Sequence, residues 1–231
     1  MKLYPLEPSS KLAAKIAGIS KRIRMDVLIG NVDILNLDTL VVIGNGTPDD
    51  IAFSIVAFHL NGDRIAGIVK PKTERRYGFI NVIPLYLRRG NIRKILILMD
   101  QEDDSLDEIY ERIQKDFGKL ATGKIEVIEE ESEERVRIYK GKYGSKEFEL
   151  ILVINGLDEI GEKKHRIEDH LVSAAEQVSI VIGDFENSKA AWRSLSNDQQ
   201  IRIYKELKAH RNLLERVCPQ QIRGCRYLEE Q

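Results

Sequence analysis

Five consecutive polar residues, Asp100-Gln101-Glu102-Asp103-Asp104, follow the apolar run KILILM at residues 94–99. Carboxylates crowded at one strand end repel one another unless a cation neutralises them, and a hard, oxygen-seeking ion such as Mg2+ is the usual partner. Asp100 and Glu102 are two apart on an extended chain, so they point to one side and can share an ion. Asp103 and Asp104 stand near a helix start, where negative charge is stabilised without any metal. Spacing alone leaves two readings of this run: a metal cradle, or caps and solvated charge.

Other constellations with chemical potential read more weakly. Gly44-Asn45-Gly46 is too short for a dinucleotide fingerprint, and no Walker lysine follows it. His165 and His170 are five apart, so on a helix they diverge by about 140°, whereas shared zinc ligation needs an i, i+4 pair. Ser188 and Ser196 lack a nucleophile-elbow context. The two cysteines, Cys218 and Cys225, build neither a disulfide framework nor a four-ligand zinc site. Basic segments are more suggestive. Lys70, Lys72, Arg75 and Arg76, with Tyr77, follow one strand, and Arg135, Arg137, Lys140, Lys142 and Lys146 alternate with Tyr139 and Tyr143. Both segments suit phosphate binding driven by counterion release, while the charge-rich hairpin more often serves as a soluble edge guarded by charge.

The elements that must position these groups form a βα alternation. The spacing predicts an amphipathic, basic helix over residues 9–24, with Leu12, Ile16 and Ile19 as its apolar seam. Thr39 to Ile43 reads as a strand, followed by Thr47 as N-cap, Pro48 as first helical residue and Asp49 and Asp50 in the first turn. Arg64 to Val69 is a second strand, and Phe79 to Arg89 a short helix interrupted by Pro84. KILILM is a strand buried on both faces. Ser105 and Glu108 form a capping box before a helix marked by Leu106, Ile109, Ile113 and Phe117. Residues 124–146 read as a β-hairpin leading into the buried strand Phe148–Ile154. Helices are expected over 165–178, over 188–195, and from Ser196 toward Leu214, where Pro219 would end the last. The expected fold is α/β, a three-layer, mostly parallel sheet with an inserted β-hairpin and a helical C-terminal cap. Its segments are a lead-in over 1–38, the α/β unit over 39–195 and a helical extension over 196–231.

Taken in order, strand, first loop, helix, strand, helix, strand, acidic loop, helix and strand follow the pattern of Toprim domains, found in topoisomerases, primases and OLD-type nucleases. Over residues 39–195 the chain resembles that family. Asn45-Gly46-Thr47-Pro48-Asp49 stands at its E-G-x-x-D loop, and Asp100-Gln101-Glu102 at its D-x-D. Ile167-Glu168-Asp169-His170-Leu171 resembles the L-E-D segment of the Toprim-like family related to OLD nucleases, and Ser188-Lys189-Ala190 resembles that family's lysine helix. The resemblance implies Mg2+ or Mn2+ held by Asp100, Glu102 and Glu168. It also implies catalytic positions at Asn45, Asp49 and Lys189, and nucleic-acid phosphodiesters as substrate. Lys70, Lys72, Arg75, Arg76, Lys140 and Lys142 are the candidate nucleic-acid contacts. Two departures matter. Asn45 occupies the place of the family's acid–base glutamate, and an amide exchanges no proton near neutral pH. Glu102 replaces the second aspartate and keeps its charge. Two functions therefore follow: a metal-dependent, nuclease-like enzyme, or a non-catalytic, degenerate Toprim-like module binding nucleic acid, nucleotide or protein.

Composition bounds these readings. At 231 residues the chain can bury a sizeable core. Charged residues reach 32%, above the roughly 25% usual in globular chains, a balance common in proteins from hot environments. A net charge of −1 leaves any polyanion to be met by local patches. No signal-like segment or long apolar run appears, which predicts a cytoplasmic protein without membrane association. Trp192, Tyr204 and Leu213 read as core or as an interface for a homo-oligomer.

Overall fold

The computed structural model describes residues 1–7, 11–44, 48–60, 62–71, 77–119, 125–133 and 135–229. Its centre is a seven-stranded sheet in the order β1-β3-β2-β4-β7-β6-β5, built from β1 (Lys2–Pro5), β2 (Thr39–Ile43), β3 (Ile65–Val69), β4 (Lys94–Asp100), β5 (Ile125–Glu133), β6 (Val136–Tyr143) and β7 (Lys146–Asn155). From β1 to β7 the neighbours run parallel, and β7, β6 and β5 form an antiparallel meander.

The central strands are apolar on both faces, as strands covered by helices on each side must be. Alternation along each strand sorts their side chains into two layers. Val41, Ile43, Leu96, Leu98, Ile151 and Val153 pack with α1 (Lys11–Ile23), α2 (Asp49–Leu60), α5 (Ile167–Gln177), α7 (Asn197–Ala209), α8 (Arg211–Val217) and α9 (Pro219–Glu229). Leu40, Val42, Ile95, Ile97, Leu150 and Leu152 pack with α3 (Phe79–Arg89) and α4 (Leu106–Lys119). α6 (Ser188–Ser194) adds Trp192 to the first layer, its ring centroid 5.6 Å from that of Tyr204. Trp192, Tyr204 and Leu213 are thus core residues of this chain. The result is the three-layer α/β arrangement expected, with the meander and the C-terminal helices in place.

The terminal segments belong to the same core. β1 pairs in parallel with β3, and Ile16 of α1 is fully buried. α9 lies on β7, where Gly224 makes the approach feasible: a Cβ there would stand 2.3 Å from Val153 Cγ2. One expectation is overturned. Pro219 does not stop a helix; it begins α9, since a proline at the first helical position lacks only a hydrogen bond that no residue makes there. The preceding helix breaks earlier, at His210, whose extended backbone (φ −121°, ψ 95°) separates α7 from α8. Among the described residues, no helix is long and apolar enough to cross a membrane.

Candidate active site

β2 and β4 are neighbours, with Ile43 beside Leu98 and the Gly44 N–H donating to Leu98 O at 2.9 Å. From β2 the chain passes through α2 to β3 on one side, then through α3 to β4 on the other. Chains diverging in this way open a crevice at the carboxyl ends of the strands, the usual ligand position in such sheets. Gly44, after β2, and Asp100, at the end of β4, therefore stand at one crevice.

Asp49 opens α2, Asp100 ends β4, and Asn155 ends β7 in register with Asp100. Asp100 and Asn155 lie on the face of the sheet that carries Leu98 and Val153, the side covered by α2 and α5. Asn155 Nδ2 donates to Asp49 Oδ1 at 3.1 Å and to Asp100 Oδ1 at 3.0 Å. Asp100 Oδ1 also accepts from the Ile167 N–H, at the start of α5, at 3.0 Å. Gln221 of α9 fixes the amide from behind, its Nε2 donating to Asn155 Oδ1 at 2.8 Å. In the first turn of α5, Glu168 completes an acidic group of which Asp49 and Glu168 are buried and Asp100 partly so.

Burial and mutual repulsion govern its electrostatics. Burial first, then the charges of Asp100, Glu168 and Asp50, hold the Asp49 carboxyl well above the ordinary range. Burial likewise raises Asp100 to about 7, with Glu168 and Glu102 adding to the effect and the bonds from Asn155 and Ile167 opposing it. Glu168 is raised by burial and moderated by the nearby charges of Lys189 and Arg166. Asp49 Oδ2 is buried and, among the described residues, accepts no hydrogen bond. Cations ring the group: Lys70 acts on Asp49 and lies 3.9 Å from Asp50, while Lys15 of α1 lies 3.0 Å from Asp50. Buried Tyr204 feels the charges of Asp50, Glu168 and Asp49 from below.

Only the first residue of the acidic run enters the crevice. Gln101 accepts from Arg135 Nη1 at 2.9 Å. Glu102, in the left-handed region at φ 53°, takes two bonds from Arg166, at 2.9 and 2.6 Å. Asp103 lies 2.7 Å from Lys164 Nζ, and Asp104 accepts from Tyr77 OH at 2.7 Å. The run is a row of anchors, tying Gln101 to the residue before β6, Glu102 and Asp103 to the segment before α5, and Asp104 to Tyr77 before α3. Glu102 N–H donates to His165 O at 3.1 Å in the same contact.

The remaining candidates separate clearly. Lys70 and Lys189 stand by the carboxylates, whereas Asn45, Thr47, Lys72, Arg75 and Arg76 lie outside the described residues. Lys140 and Lys142 are on β6, in register with Glu149 and Glu147 of β7. His165 and His170 diverge as their spacing requires. His165 Nδ1 contacts Asp169 Oδ2 at 2.9 Å, while His170 Nδ1 donates to Val217 O and its Nε2 accepts from the Gly156 N–H at 3.0 Å. Sequence reasoning missed Asn155, Gln221, Arg166 and Tyr204. Of these only Asn155 carries a local signal, a lone amide closing the apolar run FELILVI.

The donor set is hard: carboxylate oxygens, suited to Mg2+ or Mn2+ and not to soft metals. Among the described residues, no three His, Cys, Asp or Glu side chains already close on one point as a metal cage. Mg2+ does not require one, being held usually by one or two carboxylates together with water and substrate phosphates. The buried Asp49 oxygen, which has no partner among the described residues and stands beside Asp100, fits such an ion.

Fold and site together define an α/β protein with a largely buried acidic cluster at its strand ends. The chain matches no protein-family model and no curated protein.

Proposed function

We propose that the protein binds a divalent cation, Mg2+ or Mn2+, in this crevice and acts on nucleic-acid phosphodiesters, as the resemblance to Toprim-like nucleases implies. The convergence of buried Asp49 and Glu168 with partly buried Asp100 at the point where the sheet diverges carries the reading. Asp100 and Glu168 are the ligands, with Asp49 supplying its unbonded oxygen. Glu102 joins them only when its pair with Arg166 opens. A bound cation would supply charge neutralisation and polarise a phosphoryl oxygen. Lys189 and Lys70 offset phosphate charge at the rim, and Asn155 keeps the two aspartates at fixed separation.

The test joins two readouts on the full chain. Mn2+ or Mg2+ should raise the melting temperature of the wild type and not of Asp100→Asn, and labelled single-stranded DNA or RNA should be cut only with the metal present. Absence of any cation effect on melting would remove the reading.

A second reading is favoured by Asn45: a binding module that keeps the crevice and lacks the proton-transferring side chain. Metal-dependent melting without cleavage marks it, and cleavage gained on Asn45→Glu would identify the missing group.

A further inference from the structure

We propose that a cleft at the opposite end of the sheet, by the amino ends of β4 and β7, is a second binding site, specific for phosphate-bearing ligands. Its volume is about 840 Å3, inside the range of roughly 300–1,000 Å3 typical of small-molecule sites. β4, with seven residues at about 3.3 Å each, puts roughly 20 Å between this cleft and the carboxylate crevice. The two sites are distinct, and this one stands whether or not the crevice holds a metal.

Five cationic side chains line the cleft, Arg93, Lys94, Lys140, Lys142 and Lys146, against two carboxylates, Glu147 and Glu149. A local cationic excess in a chain of net charge −1 is the footprint expected of an anion site. Part of that charge serves the fold. Lys94 lies 3.5 Å from Glu149 and donates to Tyr227 O of α9 at 2.9 Å, and Lys146 donates to Gly90 O at 2.9 Å. Lys140 stands in register with Glu149. Arg93 and Lys142 are different, because among the described residues neither has an ion-pair partner, although Lys142 is in register with Glu147. Both are exposed.

Arg93 is also held in place. Its N–H donates to Asp38 O and its carbonyl accepts from the Glu149 N–H, each at 2.7 Å, so the guanidinium projects from a backbone fixed on both sides. A guanidinium fork beside ammonium groups matches the geared oxygens of a phosphate in geometry and charge. Glu147, without a hydrogen-bonding partner of its own among the described residues, offers an acceptor for a hydroxyl or amino group. A ligand carrying phosphates and such donors is a nucleotide, free or within a nucleic-acid strand.

Binding of three probes to the full chain tests this: ATP and inorganic tripolyphosphate by calorimetry, and a fluorescein-labelled 12-nucleotide single strand by anisotropy, all without divalent ions. The variants are Arg93→Glu/Lys142→Glu and the charge-neutral Arg93→Ala/Lys142→Ala, with Lys205→Ala, at an exposed lysine of α7, as a control. Both sites being exposed, the folded circular-dichroism spectrum should persist. We expect the wild type to bind at least one probe, and the charge-reversed variant to lose at least tenfold in affinity. The neutral variant should fall between them, and Lys205→Ala should leave this binding unchanged. On the single strand, the slope of log K against log salt should become shallower by about 1.4, at about 0.7 for each lost contact. Binding of ATP alone identifies a nucleotide site, and binding of the strand alone a backbone cleft. Failure of all three probes to bind, or equal affinity of wild type and charge-reversed variant, overturns the proposal.

Discussion

Asp100 carries a penalty that a cation would relieve. Its folded pKa of about 7 lies above the ordinary 3.8, so its contribution to stability is full below the lower value and is lost as pH rises through the higher one. His170 works in the opposite sense. Burial lowers it from 6.5 to about 4, so its contribution is full above 6.5 and is lost as pH falls toward 4. The isosteric Asp100→Asn keeps an oxygen for the Asn155 and Ile167 donors and removes the charge. In metal-free solution at pH 8 it should melt higher than the wild type, the advantage shrinking toward pH 4 in a melting series. Of the proposed ligands, Glu168→Gln should weaken Mn2+ binding at least tenfold by calorimetry. Glu102→Gln should change it less than threefold, because Arg166 already holds that carboxylate. At this scale the sequence was half legible. A strand followed by Asp100 announces a polar strand end, but spacing cannot reveal that each later residue of the run has its own anchor. Those anchors, Arg135, Arg166, Lys164 and Tyr77, come from distant segments.

Elements were easier to read where local chemistry decides them. The capping box at Ser105 is present, with Ser105 N–H donating to Glu108 Oε2 at 2.8 Å. That at Ser196 is present too, its N–H donating to Gln199 Oε1 at 2.8 Å. Ser196→Ala should lower stability by about 1 kcal/mol in urea unfolding. What sequence missed depends on tertiary partners. α5 starts at Ile167 and not at His165, because His165 is in a bridge with Glu102 and the Arg166 N–H is taken by Asp169 Oδ2 at 3.3 Å. β1 was unread, since a four-residue strand shows itself only beside β3. Gly224, inside a helix, signals a close contact but not its partner. Gly224→Ala should destabilise the protein by about 1–3 kcal/mol in the same assay, because Val153 cannot move aside from a packed sheet.

Across the whole molecule the sheet separates charge by end. Buried acids gather where the parallel strands finish, and lysines and arginine where β4 and β7 begin. No total reveals this, since the chain sums to −1. It emerges only when the strands are aligned. If the acidic end binds Mn2+, a concentration one hundred times the dissociation constant should add about 2.7 kcal/mol to the unfolding free energy, and a chelator should return it to the metal-free value. The cationic end should be indifferent to that treatment.

The Asn155 junction also has a history in time. Its bonds join Asn155 to Asp49, 106 residues away, to Asp100, 55 away, and to Gln221, 66 away. Ordering such distant pieces must overcome the entropy of large loops, whereas the β5–β7 meander closes through short turns. In a refolding experiment the meander should gain amide protection early, and the junction should mature late. On gradual loosening the order reverses, so the crevice would be the first part of the native architecture to come apart.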